Sequence, residues 1–360
     1  MENLDTLLWA MMLSALYCSI TVVSLCNPLY AMEMRDQVPA VTGAPVIDTP
    51  RILNWPIDGG SREPSLGEPT ANLINDLHAE INQCDMVLTT AGNYHMALKD
   101  LWTIYLAKFP ADSPLRNWFY TTSPPIAKQQ IATGLVQFGN VRARCRPQVA
   151  VGPKELVESL VNAGFTVGDV VPLTKTRGNV LLVKKGNPKN VRTIWDLGRN
   201  DIRVITPSPS MEAGSFSLYA KSLYDIAKFD KQPPLNMSAD DLFNAVFNSN
   251  DPMKWLSGKR IHHREVPWSI AFGKADAAII FYHLALDVVT TFPDLFEFVS
   301  LGGTPAEPDP ASGNHTETLY AIRIKGDWSE MQHNATEKLM ELFQSNEFTD
   351  ILGKRGLDRP

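Results

Sequence analysis

Between Thr174 and Gly214 the chain alternates short apolar runs with polar turns at a spacing that leaves few folds open. Val180–Lys184 reads as a strand, Lys185-Gly-Asn-Pro-Lys189 as a turn, Ile194–Leu197 as a short helix and Ile202–Ile205 as a second strand. That second strand opens into Thr206-Pro-Ser-Pro-Ser210 ahead of a helix over 213–228. The same alternation runs upstream. Met86–Thr89, Trp118–Thr121 and Pro147–Val151 read as strands, followed by helices over about 94–107, 124–133 and 154–163. Repeated units of this length predict mostly parallel sheets covered by helices, with the strand C-termini on one edge where ligands bind.

Two lobes are expected, because single cores rarely grow past about 250–300 residues. The extended run Val170–Lys185, carrying Thr174-Lys-Thr-Arg-Gly178, reads as the first crossing between them, and the chain is expected to return near Ala285–Phe298. A polar insert near 230–260, a helix over 266–273 and a strand over 277–282 would complete the second lobe. Strand Leu319–Ile324 and helix 335–343 would close the first. The organisation read from the sequence is a leader at 1–31, an arm and extra helix at 32–84, a first lobe of 85–175 plus 288–360, and a second lobe of 176–287. A two-crossing hinge suits a protein that closes on a ligand.

Leu7–Cys26 is an apolar run of a length that fits a signal peptide or a membrane anchor, and Ala31 is a small residue suited to cleavage. The n-region carries Glu2 and Asp5 and no basic residue, so both readings stand. Either way the bulk of the chain is expected to be exported, to the periplasm. Residues 32–72 are rich in Pro and Gly and read as a linker or an extended arm, followed by an amphipathic helix over Leu73–Ile81. A formal net charge of −6 argues against nucleic acid or an anionic membrane surface as partner. Outside the leader the cysteines are Cys84 and Cys145, and a disulfide or two buried thiols both fit.

The segment order from Thr174 to Gly214, with Phe343-Gln-Ser-Asn-Glu-Phe-Thr-Asp-Ile-Leu-Gly-Lys-Arg-Gly356 at the end, resembles the type II periplasmic solute-binding proteins of ABC importers. The likeness is greatest to the molybdate, tungstate and sulfate binders and spans roughly residues 85–357. It implies a two-lobed α/β fold, a small anion as ligand, a membrane permease as partner, no cofactor and a monomer.

Three helix starts combine a strand end with polar capping residues: Thr89-Thr-Ala-Gly-Asn93, with Asn93 as cap; Thr121-Thr-Ser123 before Pro124; and Ser208-Pro-Ser210 before Ala213-Gly214. Free N–H groups at helix starts, joined by the hydroxyls of Thr90, Thr122 and Ser123, suit an oxyanion. Such residues also cap helices with no ligand at all. In the family a Ser at each of the first two starts binds the oxyanion. Ser123 matches the second and Asn93 departs from the first, while Ala213-Gly214 matches the family's backbone donors beside an unexpected Glu212. Pro267 reads as a helix opener, which makes Val266 the family's further backbone donor. Arg264, beside His262 and His263, suits a carboxylate or phosphate. Tyr282, one residue after the register position occupied by Phe281, is the expected aromatic reaching the ligand.

Other chemistries leave weaker marks. His95, His262, His263, His283 and Glu265 supply metal-ligand types, so a metal-ion receptor is the rival binding reading, although no HxH or HxxxH spacing occurs. There is no GxSxG, Walker loop, GxGxxG or HExxH. The expectation is therefore a binder and not an enzyme; a Ser123–His95 nucleophile–base pair would lack an acidic partner. An anchored chain could instead act as a sensor of a small organic anion.

Overall fold

The computed structural model describes residues 38–43, 46–47, 86–90, 92–110, 127–138, 141–144, 146–258 and 261–360. The leader, the helix expected over Leu73–Ile81, the strand at Trp118–Thr121, both cysteines, Thr122 and Ser123 lie outside the described residues.

In chain order the elements are β1 (Val46–Ile47), β2 (Leu88–Thr89), a 3-10 turn (Gly92–Tyr94), α1 (His95–Leu106), α2 (Lys128–Thr133), β3 (Leu135–Phe138), β4 (Val141–Arg144), β5 (Val149–Pro153) and α3 (Lys154–Asn162). Then come β6 (Thr166–Thr176), β7 (Asn179–Lys184), a 3-10 turn (Ile194–Gly198), β8 (Val204–Thr206), α4 (Ala213–Phe229), α5 (Ala239–Phe247), β9 (Trp255–Ser257), α6 (His262–Ala271) and β10 (Ala277–Phe281). The chain ends with α7 (Tyr282–Thr291), β11 (Phe296–Ser300), β12 (Thr318–Ile324), α8 (Glu330–Phe343), α9 (Asn346–Lys354) and β13 (Leu357–Asp358).

Two sheets flanked by helices organise these elements. The first lobe holds β13-β6-β12-β5-β2, and the second holds β1-β9-β8-β10-β7-β11. The sheets are mixed rather than mostly parallel. Strands linked by helices run parallel, as β9, β8 and β10 do, whereas β7, which enters from the hinge, is antiparallel to both neighbours. In the first lobe the alternation of side chains decides which core each residue joins. Val149, Val151, Leu319 and Ala321 pack with α1, α8 and α9 on one face. Ala150, Ile322 and Ile324 pack with Ile131 and Val157 on the other. In the second lobe, α4 buries Phe216, Tyr219, Ala220, Leu223, Ile226 and Ala227, a stripe at helical spacing. Capping is local and regular: Ser238, Ser329 and Ser345 each accept an N–H at the start of α5, α8 and α9.

The structure also departs from the sequence expectations in the placement of elements. The insert expected near 230–260 contains α5 and β9, both built into the second lobe. Residues 296–300 still pair with β7 in the second sheet, so the return to the first lobe lies after Ser300 rather than near Ala285–Phe298. Helix α6 begins at His262 and not at Pro267, which sits inside it. Proline at the first helical position is the commoner arrangement, and here it instead removes one ladder bond from the helix interior.

The first crossing runs through Arg177-Gly178, as expected, with Gly178 at a φ of 74°. It is tied to the second crossing by backbone and side-chain bonds. Thr176 N–H donates to the Glu317 carbonyl at 2.9 Å, and Glu317 N–H donates to Thr176 Oγ1 at 2.8 Å. Asn314 Oδ1 accepts from Asn179 N–H at 2.8 Å, and its Nδ2 donates to the Asn179 carbonyl at 2.9 Å. The described part of the Pro/Gly-rich arm lies on the second lobe. Asn248 accepts from Gly43 N–H at 2.7 Å and donates to the Ala40 carbonyl at 2.9 Å, and β1 extends the sheet beside β9.

Candidate functional site

Thr90 and Asn93 follow β2, and both are buried. Asn93 was expected to cap the next helix, but α1 has Tyr94 at its cap position with no side-chain cap bond. Asn93 instead crosses to the second lobe, where Nδ2 makes a long hydrogen bond of 3.5 Å to Ser215 Oγ in the first turn of α4. Ala213, Gly214 and Ser215 precede the first intrahelical bond of α4, which runs from Phe216 N–H to the Glu212 carbonyl. Their N–H groups therefore belong to the helix's open end. The structure thus brings Asn93 and Ala213 to one place and adds Ser215, which the sequence reading missed although it occupies the third position of a Gly-preceded helix start.

Glu212 sits beside this open end and points elsewhere. Its carboxylate accepts from His262 N–H at 3.1 Å and from His262 Nδ1 at 2.9 Å, so it caps α6. Phe281 N–H donates to the Tyr219 hydroxyl oxygen at 3.3 Å, leaving the phenol proton for His262 Nε2 at 3.1 Å. Burial raises the pKa of Tyr219 well above its usual value, so the phenol stays a donor.

The remaining candidates separate. Ser210 is exposed, with its hydroxyl 3.2 Å from that of Ser208. Arg264 lies half-buried in the first turn of α6. Val266, expected at a helix start, is one turn inside α6 and belongs to the second-lobe core, so its N–H lies within the helix ladder. Tyr282 packs edge-on against Phe298, and its hydroxyl donates to the Pro305 carbonyl at 3.4 Å. Its ring also fills the space beside Gly356, so it acts as a packing residue.

The histidines form an interlobe surface, a packing role that the sequence reading did not assign to them. Tyr94 stacks on His283 at 5.1 Å, and Phe281 stacks on the same imidazole at 5.3 Å. His283 Nε2 donates to the Asn93 carbonyl at 3.1 Å. His95 stacks on His263 at 5.1 Å. Burial pushes the His283 pKa down to about 3. Rings that meet face to face direct their nitrogens apart, and among the described residues no group of three or more His, Cys, Asp or Glu is placed to hold a metal ion. His95 Nδ1 lies 2.9 Å from the Gly92 carbonyl, to which it donates. At the base of the cleft the Tyr94 hydroxyl donates to Glu317 at 3.1 Å. Burial lifts the pKa of that carboxyl to about 7. Among the described residues no helix is long and apolar enough to cross a membrane.

Comparison with known proteins places this arrangement. No curated protein sequence matches the chain. Among solved structures, the periplasmic binding protein AgtB from A. tumefaciens R10, in complex with agropinic acid, is 12% identical with a TM-score of 0.50 over 77% of this chain and 83% of that one. The Azotobacter vinelandii periplasmic molybdate-binding protein is 14% identical with a TM-score of 0.49, over 76% of this chain and 99% of that one. The sulfate-binding protein SubI from Mycobacterium tuberculosis H37Rv is 18% identical with a TM-score of 0.48, over 78% and 87%. The likeness to AgtB supports a periplasmic-binding-protein fold for the two sheets described above. A sequence profile of bacterial extracellular solute-binding proteins matches residues 142–358, more than half of the chain, and the protein belongs to that family.

Proposed function

We propose that this solute-binding protein captures a small oxyanion, molybdate- or tungstate-like, between Asn93 of one lobe and the first turn of α4 on the other. It would then hand the anion to the permease of an ABC importer from the periplasm, as a monomer. The lobes would close about the crossings at 176–179 and 301–317. The observation that carries the reading is the Asn93–Ser215 contact: a polar side chain leaves its own helix uncapped and faces an open helix start across the cleft. Neutral donors and a helix dipole replace the hydration shell of an anion without bringing a competing counter-charge. Glu212, the acidic neighbour that would oppose such a ligand, is committed to the start of α6. Thr90 at the strand end, and Thr122 and Ser123 at the expected second helix start, complete the proposed donor set. Arg264 would serve a larger anion.

The test is thermal unfolding of the full chain at pH 7.5 against molybdate, tungstate, sulfate, phosphate, small carboxylates and zinc. A ligand at a hundred times its dissociation constant adds about 2.7 kcal/mol of stability. The expected result is stabilisation by one or more oxyanions, weakened roughly 10- to 100-fold in affinity by Asn93→Ala, since a hydrogen bond to a charged group contributes about 1.5–3 kcal/mol. Stabilisation by zinc alone, or by no oxyanion, overturns the reading.

A further inference from the structure

We propose that His283 is an acid-released clasp: as a neutral imidazole it holds the two lobes together, and its protonation opens the cleft. The inference concerns the regulation of the site proposed above, and it rests on that reading only where opening is equated with solute release.

The geometry isolates one proton position. The carbonyl of Asn93 can only accept, so the bond at 3.1 Å places a proton on His283 Nε2. A second proton can then go only to Nδ1, which is buried with no hydrogen-bond partner among the described residues. The ring is fully buried, held between Tyr94 of the first lobe and Phe281 of the second, with no water-facing edge through which a charge could be solvated. Charging it therefore requires the Tyr94 and Asn93 surface to part from α7.

The charges facing this ring do not relieve the problem. From α1 comes His95, and from α6 come His262 and His263, with Arg264 and Glu265 on the same helix. Each further imidazole that gains a proton adds repulsion across the same surface. The nearby carboxylates are engaged elsewhere: Glu212 with His262, and Glu317 with the Tyr94 hydroxyl. Asp287, one turn along α7, is 3.4 Å from Arg355 and 4.0 Å from His95 Nε2. His315, whose Nε2 lies 2.6 Å from Asp225, sits at the second crossing and not at this surface.

The sign follows from linkage. Burial lowers the closed-state pKa of His283 to about 3, while an imidazole exposed by opening returns to about 6.5. Closure is therefore fully favoured above about pH 6.5 and is progressively lost as pH falls toward 3. If opening releases the solute, affinity for an anion that keeps its charge falls by up to about thirtyfold between pH 7.5 and 5.

The test is hydrogen–deuterium exchange of the full chain at pH 7.5 and 5.0, corrected for the intrinsic exchange rate, together with titration of sulfate and molybdate at both values. The expected result is loss of protection at pH 5.0 in the first turns of α1, α6 and α7, with α8 and α9 unchanged. In His283→Asn, whose amide keeps a donor for the Asn93 carbonyl but cannot titrate, protection should persist at both pH values. Unchanged protection in the wild type, or the same loss in His283→Asn, overturns the clasp. If that variant loses protection in α8 as well, it is misfolded, and imidazole ¹⁵N spectra of the wild-type protein decide instead. A His283 ring that titrates near its ordinary value without any loss of protection overturns the clasp, whereas a ring that stays neutral until protection is lost supports it. The two readings fail separately. An anion bound equally at both pH values with constant protection ends the clasp and leaves the anion site standing. Acid opening with no anion bound at pH 7.5 ends the anion site and leaves the clasp.

Discussion

Replacing Asn314 by alanine should loosen the second lobe where it joins the hinge, by an amount that the bonding pattern allows us to work out. Asn314 is 7% exposed. It accepts from Asn179 N–H and Nδ2 at 2.8 and 3.1 Å, and it donates to the carbonyls of Asn179 and Leu301 at 2.9 and 3.1 Å. Two of these partners keep other bonds: Asn179 Nδ2 still reaches Ser222 Oγ at 2.9 Å, and the Leu301 carbonyl still accepts from Ala311 N–H at 3.0 Å. The groups left orphaned are the N–H and carbonyl of Asn179, both in a buried strand end. At about 1–3 kcal/mol for each buried group without a partner, Asn314→Ala costs roughly 2–6 kcal/mol. For a domain of about 150–250 residues that lowers the melting temperature by something on the order of 10 °C. Differential scanning calorimetry measures it, and the lobes need not unfold together. Asn314→Asp should cost at least as much, because it keeps the acceptor but turns a carboxylate oxygen toward two carbonyls. A shift under about 2 °C in both variants would mean that water fills the hinge, and the argument from buried partners would fail.

Two further outcomes follow from buried charges. Lys254 is 2% exposed and donates to the carbonyls of Leu197, Arg199 and Ile202 at 2.7, 2.5 and 2.6 Å. Lys254→Met keeps the stem and removes all three donors, so chemical denaturation should register a loss of roughly 3–5 kcal/mol, and a loss below about 1 kcal/mol would contradict it. The pKa of Glu317 is raised by burial to about 7 from an ordinary 4.5, so the folded state holds this proton more tightly than the unfolded one, and stability falls as pH rises from about 4.5 to about 7. Glu317→Gln should remove that slope, its advantage over the wild type growing through the same window, and parallel pH–stability curves would refute the assignment.

Much of the fold was legible because its signals are local. The stripe on α4 and the turn at 185–189 are set within a few residues, and the sequence reading placed both close to where they stand, whereas it started α8 at 335 rather than 330 and read no helix at α9. The start of α6 was misread because Pro267 carries a local signal that its surroundings override. β11 was assigned to the wrong side of the hinge because a short strand records nothing of its partner, and only pairing with β7 decides its sheet. Glu212 looked like an obstacle because its commitment to His262, 50 residues away, has no local trace.

The candidate site divides along the same line. Periodicity and turn residues were enough for the strand–helix alternation, a crossing at Arg177-Gly178 and a polar loop after the first strand, since each depends on neighbours along the chain, while the two-lobed binding fold was implied by the family resemblance of the segment order. Tertiary structure alone decided that Asn93 serves Ser215 and not its own helix, that Tyr282 packs against Phe298 and Gly356, and that His283 meets the Asn93 carbonyl. The last contact joins residues 190 positions apart. A side chain's partner at that separation is chosen by how two lobes meet, and no spacing within the sequence encodes it.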